Sequence, residues 1–188
     1  MVTMLQGLAD WLRRRRRAAH SWADDCDLIF LDVDGVLNSR VSRDTGDHLP
    51  ADEPLANLCH VINSSCKATI VLSSTWRLDR QLSEALQKVL ATVGLCFVSS
   101  TADLTYTGDR VDEILLWLRE HPARGSGAAR PWVALDDLDL LGMNAKLTPE
   151  HFVRTRDGIG LTRQDAERAI AQLRSQRGTL HGKPSNDG

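Results

Sequence analysis

An apolar run that ends in two carboxylates constrains the fold of this chain more than any other feature. Leu28 to Leu31 form a continuous apolar segment, which is typical of a strand covered on both faces of a parallel sheet. Asp32 and Asp34 follow it, and Gly35 then permits a turn that a side chain would block. Open α/β sheets bind their ligands at the carboxyl ends of the strands. The segment therefore predicts a buried strand whose end carries a functional site.

Length and charge indicate one globular domain with a basic leader. The chain has 188 residues and a formal net charge of −2. Without residues 1–20, 18 basic residues face 24 acidic ones, a balance of −6. We predict a leader over 1–22, a catalytic domain over 23–174 and a flexible tail over 175–188. Such an acidic body argues against a protein that binds nucleic acid over its whole surface. A local basic groove is still compatible with the charge.

The compartment is predicted as intracellular, with the cytoplasm as the default. The block Arg13–Arg17 also fits a nuclear import patch, a mitochondrial transit peptide or a solvated basic helix. No apolar run is long enough to span a bilayer. The four cysteines lack zinc-site spacing, and we interpret them as reduced thiols.

Strands and helices alternate along the predicted domain. Further strands are expected at residues 69–72, 95–98, 132–135 and 152–154, and helices at 54–66, 78–93, 110–120 and from a capping box at Thr162 to Leu173. Gly94 is expected just past the end of its helix. This alternation predicts a three-layer α/β/α, Rossmann-like domain with a parallel sheet.

Three of these strands end in side chains that carry chemistry. Ser73 follows the second strand, Asp136 and Asp137 follow the fourth, and Arg110 opens the helix that precedes the fourth strand. The carboxyl ends of parallel strands lie at one edge of the sheet, so these groups can converge with Asp32 and Asp34. Carboxylates gathered in one cleft repel each other unless a cation sits among them, and Mg²⁺ prefers such oxygen ligands. An aspartate beside Mg²⁺ and a phosphoryl group can act as a nucleophile.

The motifs together resemble the haloacid dehalogenase (HAD) superfamily. Asp-x-Asp-Gly-Val-Leu-Asn, Leu-Ser-Ser-Thr-Trp-Arg and Trp-Val-Ala-Leu-Asp-Asp are most similar to its small domains associated with RNA-repair proteins, over residues 27–173. The resemblance implies a nucleophile and Mg²⁺ ligand at Asp32 and a general acid/base at Asp34, whose backbone carbonyl would also bind the metal. Asp136 and Asp137 would complete the metal site. Arg110 would replace the family's usual lysine, with Arg124 and Arg130 as competitors.

The remaining candidate residues lie around the expected phosphate position. The resemblance implies a phosphate contact for Ser73, and we extend the candidate phosphate- and substrate-binding set to Ser74, Arg77, Arg110 and Asn38. Each also has a purely structural interpretation, as a turn, loop or ion-pair residue. Trp76 is interpreted as a packing residue and Asp157 as a loop aspartate.

The predicted function is Mg²⁺-dependent hydrolysis of a phosphomonoester through an aspartyl-phosphate. The segments that would carry a cap domain are short, including residues 39–52, so we expect a capless or minimally capped, open site. An open site favours a large phosphorylated substrate, such as a nucleic-acid end, over a small metabolite. Two alternatives stay open: a non-catalytic phosphate-binding adaptor, and a phosphotransferase that uses the same intermediate.

Overall fold

A five-stranded parallel sheet forms the centre of the molecule. The computed structural model describes residues 26–46, 48–65, 68–123 and 130–181. The strands follow the order β3-β2-β1-β4-β5 across the sheet, and every neighbouring pair is parallel. Their bounds are β1 Leu28–Leu31, β2 Thr69–Leu72, β3 Phe97–Ser100, β4 Trp132–Asp136 and β5 Phe152–Arg154. The predicted parallel α/β sheet is therefore confirmed.

Six α-helices flank or extend this sheet within the described ranges. They are α1 Arg40–Asp44, α2 Asp52–Ser64, α3 Arg80–Thr92, α4 Arg110–Glu120, α5 Leu140–Met143 and α6 Arg163–His181. Two 3₁₀ turns, Thr75–Leu78 and Pro149–His151, complete the set. The sequence pattern did not predict α1, α5 or the 3₁₀ turns, because segments this short show no apolar periodicity.

The two faces of β1 explain the three layers. Ile29 and Leu31 point into one apolar cluster, whereas Leu28 and Phe30 point into another. The first cluster includes side chains of α2, α3 and α6, and the second includes side chains of α4. All four β1 residues are fully buried. The α/β/α layering predicted from the sequence is confirmed, and it fixes the carboxyl end of β1 at the middle of one sheet edge.

The third strand begins two residues later than predicted, because α3 ends in a local hydrogen-bonding motif. The amide of Leu95 donates to the carbonyl of Leu90 over 2.9 Å, and that of Gly94 donates to Ala91 over 3.2 Å. Gly94 has φ +76°, so these bonds form a Schellman motif. Leu95 thus completes the end of the helix, and the predicted bounds 95–98 are corrected to Phe97–Ser100.

The last helix continues to His181, so the predicted flexible tail is wrong for residues 175–181. Its polar side chains bind the body of the domain. Gln176 accepts a hydrogen bond from the amide of Trp132 over 2.9 Å, and Arg177 pairs with buried Asp27. Composition alone suggested a loose segment, but these long-range contacts order it. The capping box formed by Thr162 and Asp165 is present as predicted.

The described residues include no separate cap unit. Between Ser39 and Asp52 the described residues contribute one five-residue helix, and the chain from β2 to α4 is filled by α3 and β3. Within the described ranges, no helix combines the length and apolarity needed to cross a membrane. The predicted leader, including Arg13–Arg17, the end of the predicted tail and Cys66 lie outside the described residues, as does the competitor Arg124.

Candidate active site

Three adjacent strands bring the predicted chemical groups to one edge of the sheet. Strand β1 lies between β2 and β4, with Leu31 in register with Leu72 on one side and Leu135 on the other. Asp32, the residue directly after β1, therefore lies between Ser73 and Asp136. The amide of Asp32 donates to Leu135 over 3.0 Å, which continues the sheet ladder into the site.

Three of the predicted metal ligands meet there. Asp32, Asp136 and Asp137 each offer a carboxylate oxygen within 4.8 Å of the other two. The first two residues are buried, and Asp137 is half-buried. The side chain of Asp34 is not part of this group. We refer to the three residues as the carboxylate cluster.

Gly35 allows the loop after β1 to approach the carboxylate cluster. It has φ +74°, and a Cβ atom at this position would lie 2.5 Å from Cγ of Asp137. Any side chain here would therefore strain the backbone and collide with the carboxylate. The hydroxyl of Thr155 donates to the Gly35 carbonyl over 2.8 Å, which ties this loop to the segment after β5.

Arg110 inserts a positive charge among the carboxylates. It is the first residue of α4, a helix that Asp109 caps. Its Nη1 lies 3.2 Å from Oδ1 of Asp32 and 3.0 Å from Oδ2 of Asp136, and it also donates to the Ser73 carbonyl. One guanidinium nitrogen thus contacts groups from all three strands. The competitor Arg130 lies at the start of β4, where it donates to the carbonyl of His121 at the opposite edge of the sheet.

Burial raises the pKa of the cluster carboxyls above their ordinary range. It raises the pKa of Asp32 despite the opposing charge of Arg110. Burial, followed by the charge of Asp32, raises the pKa of Asp136 to about 7. The same two causes raise the pKa of Asp137. When all three are ionised, the carboxylates carry more negative charge than Arg110 alone can neutralise, and a cation bound there would relieve the excess.

The donor set fits a hard divalent cation. Three carboxylate oxygens converge within 4.8 Å, and oxygen ligands are those that Mg²⁺ takes in proteins. Beside them, the Ser73 hydroxyl is buried and has no hydrogen-bond partner among the described residues. Buried hydroxyls are normally hydrogen-bonded. An oxygen of a bound phosphoryl group would supply the acceptor that this hydroxyl lacks.

Asp34 lies outside the carboxylate cluster, and its two side-chain hydrogen bonds come from neutral donors. The amide nitrogen of Asn38 donates to Oδ1 of Asp34 over 2.9 Å. The indole nitrogen of Trp76 donates to its Oδ2 over 3.0 Å. Each carboxylate oxygen keeps a second lone pair, so Asp34 can take up a proton without losing either bond. Trp76 packs in the apolar core, as predicted, but its hydrogen bond to Asp34 was missed.

Arg43 joins this arrangement from α1. Its Nη1 donates to Oδ1 of Asn38 over 2.9 Å, its Nη2 pairs with Asp157, and its Nε lies 3.9 Å from Asp34. Sequence reasoning missed Arg43, because no motif distinguishes it from Arg40 on the same short helix. Asp157, interpreted as a loop aspartate, is the residue that anchors it.

Three of the predicted substrate contacts are engaged inside the protein. Arg77 is buried, with Nη2 at 2.7 Å from Oε1 of Glu113 and Nη1 donating to the Ser74 carbonyl over 2.8 Å. The Ser74 hydroxyl accepts from the amide of Trp76 and hydrogen-bonds Asp32. Asn38 is fully buried. Substrate contacts for Asn38, Ser74 and Arg77 stay predictions that these internal bonds do not favour.

A family model described as "HAD domain in Swiss Army Knife RNA repair proteins" matches residues 28–166. The match spans all five strands and reaches into α6, so it covers every side chain of the site described above. It confirms the superfamily that the motifs resembled. No curated protein and no solved structure matches the chain.

Proposed function

Because the chain belongs to the HAD domains found in Swiss Army Knife RNA repair proteins, we propose that it is a Mg²⁺-dependent phosphatase that works through a covalent phosphate on Asp32. One observation carries the proposal. Asp32 lies at the end of the central strand, within 4.8 Å of two further strand-end carboxylates and 3.2 Å from a guanidinium nitrogen. A nucleophilic carboxylate, a cation site and a fixed positive charge are what phosphoryl transfer from a monoester requires.

The two steps divide between Asp32 and Asp34. In the first, an oxygen of Asp32 bonds to phosphorus, the bond to the leaving oxygen breaks, and Asp34 gives that oxygen a proton. In the second, Asp34 takes a proton from water, the water oxygen bonds to phosphorus, and the bond to Asp32 breaks to release phosphate. The separate environments of the two carboxylates support this division of roles.

Arg110 and Ser73 serve the transferring group. Nη1 of Arg110 already touches Asp32 and lies in position to attract a phosphoryl oxygen there. The family usually has lysine at this position, which offers a point charge. The planar guanidinium of arginine instead directs two donors toward the phosphoryl group. The buried hydroxyl of Ser73 would donate to a second phosphoryl oxygen, which would satisfy an otherwise unpartnered group.

Asp32, Asp136 and Asp137, with the backbone carbonyl of Asp34, would hold the metal. When bound, Mg²⁺ supplies positive charge that offsets the repulsion among carboxylates and phosphoryl oxygens. Asp136 is best fixed for this purpose, because its Oδ1 accepts from the amide of Leu138 over 2.9 Å while Oδ2 contacts Arg110.

We further propose that the substrate is a phosphorylated nucleic-acid end. The family description names RNA repair proteins, and the described residues build no cap over the site. An uncapped site admits the end of a polymer, whereas it encloses a small metabolite poorly.

The test is turnover of a panel of phosphomonoesters by the full chain with Mg²⁺. The panel holds nucleotides, 5′- and 3′-phosphorylated oligonucleotides, phosphopeptides and sugar phosphates, with a generic aryl phosphate as reference. Asp32→Asn should lower kcat by about 10³-fold or more, because the nucleophile is lost. Asp44→Asn is the matched control, since that carboxylate is 71% exposed and lies on α1. Turnover by Asp32→Asn at the wild-type rate would refute the covalent mechanism, and binding without turnover would favour the adaptor.

A further inference from the structure

A charged groove adjoins the carboxylate cluster at the ends of β4 and β5. It encloses about 600 Å³, and its lining includes Arg154, Arg156 and Arg168 together with Asp137, Asp139 and Asp157. We call it the arginine groove. Because Asp137 belongs both to the groove and to the cluster, a ligand whose end occupies the cluster can continue directly into the groove.

Arg156 carries the free positive charge of the groove. Its side chain is exposed, and within the described ranges no carboxylate pairs with it. Its position is fixed by a tight turn, in which its carbonyl accepts from the amides of Ile159 and Gly160, each over 2.8 Å. Gly160 has φ +84°, which only glycine adopts readily. The turn after β5 therefore presents this charge on a defined backbone.

The other two arginines are paired but half exposed. Arg154 lies 3.5 Å from Asp139, and both side chains are about half exposed. Exposed ion pairs are weak, so an anionic ligand can replace Asp139 at little cost.

Arg168 lies 3.2 Å from Asp165, whose side chain is only 12% exposed, so this pair stays in place. A guanidinium has five N–H donors, and Arg168 therefore keeps donors for a ligand. Of the other two acidic residues of the groove, Asp157 is already paired with Arg43, and Asp137 belongs to the carboxylate cluster.

We propose that the arginine groove binds the sugar-phosphate backbone of a single-stranded nucleic acid next to its terminal phosphate. This inference rests on the proposed phosphatase function and adds the place where the polymer is bound. Three arginines in the lining of one groove match a ligand with one anionic phosphodiester per residue, because such a ligand offers several phosphates to several cations. A phosphopeptide offers a single phosphate, which the cluster itself would take.

The first experiment measures binding without turnover. An Asp32→Asn protein is titrated into a fluorescein-labelled, 5′-phosphorylated single-stranded oligonucleotide, followed by fluorescence anisotropy over a series of salt concentrations. A 3′-phosphorylated oligonucleotide is measured in parallel. Adding Arg156→Ala should weaken binding by about 3- to 10-fold. The slope of log affinity against log salt concentration should fall by the contribution of about one phosphate contact. Arg156→Lys should keep most of the affinity, because it keeps the charge.

Arg119→Ala is the matched control. Arg119 is an exposed arginine in the last turn of α4, at the edge of the sheet opposite the site. Its replacement removes the same charge without touching the groove. Equal losses for Arg119→Ala and Arg156→Ala, or unchanged affinity and salt slope for Arg156→Ala and Arg154→Ala, would overturn the proposal.

The second experiment separates this proposal from the proposed function. In the otherwise wild-type enzyme, Arg156→Ala should raise KM for the phosphorylated oligonucleotide several-fold and leave kcat and the kinetics of an aryl phosphate unchanged. Equal losses on both substrates would contradict a backbone-binding role. Absence of any turnover by the wild type would refute the proposed phosphatase function. The anisotropy series would still show whether the arginine groove binds the oligonucleotide. An equally large loss of phosphopeptide binding would overturn the nucleic-acid assignment in favour of a protein ligand.

Discussion

Asp32 and Asp34 are two residues apart, yet the protein holds them in opposite ways. Asp32 is buried among charges, with Arg110 on one side and two strand-end carboxylates on the other. Asp34 is half-buried, and the bonds of its two oxygens come from a neutral amide and a neutral indole. In the first environment, Arg110 and a bound cation would offset the burial that raises the pKa of Asp32, so that its carboxylate can attack. The second orients Asp34 by two hydrogen bonds for its proposed role as general acid/base.

The comparison also separates two kinds of energetic cost. Removal of a partner from the cluster leaves a buried charge uncompensated, which is expensive in a low-dielectric site. Removal of a neutral donor from Asp34 costs one hydrogen bond at a position that water can partly reach. Disruption of the cluster should therefore cost more stability than disruption around Asp34, and both should lower the rate.

The largest effect is expected for Arg110→Ala. The substitution strands Asp32 and Asp136 as buried, like-charged neighbours, so the free energy of unfolding at pH 8 should fall by about 3–5 kcal/mol. The loss should shrink at pH 5, where these carboxyls can protonate. The rate should fall by about 10²-fold or more, because a charge that stabilises the phosphoryl group is lost. Urea unfolding followed by circular dichroism measures the first effect, and steady-state kinetics the second.

Two further variants make this prediction specific. Arg110→Lys restores the charge and should recover most of the stability, although it cannot reproduce contacts to all three strands. Arg119→Ala removes an exposed arginine of the same helix and should change stability by less than about 0.5 kcal/mol. A loss for Arg110→Ala that is the same at pH 5 and pH 8 would show that packing, not charge, explains it.

The sequence predicted the surroundings of Asp32 and missed most of those of Asp34. Asp32, Ser73 and Asp136 end neighbouring parallel strands, so the topology alone brings them together. The partners of Asp34 depend on how loops fold back: Trp76 is 42 residues away in sequence, and Arg43 reaches Asp157 across 114 residues. No local pattern encodes such contacts, because they exist only once the sheet has formed.

The carboxylate cluster should make stability fall as pH rises when divalent metal is removed. Burial raises the pKa of Asp136 to about 7 in the folded protein, from the ordinary aspartate value of 3.8. Between those values the folded state binds more protons than the unfolded state, so the free energy of unfolding decreases with pH by up to a few kcal/mol and levels off above pH 7. Urea midpoints in EDTA from pH 5 to pH 8.5 measure this slope.

Mg²⁺ should oppose this loss, since it binds the ionised carboxylates and thereby favours the folded state. The stabilisation by Mg²⁺ should therefore be larger at pH 8 than at pH 5.5. Asp136→Asn removes the group with the raised pKa and should flatten the slope in EDTA. A wild-type slope that is flat or rises with pH would contradict the burial of charge described for the cluster.

Asn38→Ala distinguishes a substrate contact from a positioning residue. Asn38 is fully buried, donates to Asp34 and accepts from Arg43, so we expect it to act by orienting Asp34. Its loss should lower kcat by about 10-fold, leave KM unchanged, and cost about 1–3 kcal/mol of stability because buried partners are left unpaired. A rise in KM with unchanged kcat would instead support the substrate contact predicted from the sequence.

The smallest effect is expected for Arg43→Gln, and α1 supplies its own control. Arg43 donates one hydrogen bond to Asn38 and lies 3.9 Å from Asp34. It therefore influences Asp34 mainly through Asn38. We expect kcat to fall by about 3- to 10-fold, equivalent to about 1 kcal/mol, with KM for an aryl phosphate unchanged. Arg40→Gln removes an arginine that is 71% exposed and pairs with Asp44 over 3.8 Å, and it should change kcat less than 2-fold.

If Arg43→Gln and Arg40→Gln were equally active, the contacts of Arg43 would matter for loop structure alone. If Asp157→Asn matched Arg43→Gln in kcat, the route from the loop after β5 through Arg43 and Asn38 to Asp34 would be supported, because Asp157 touches that route at Arg43.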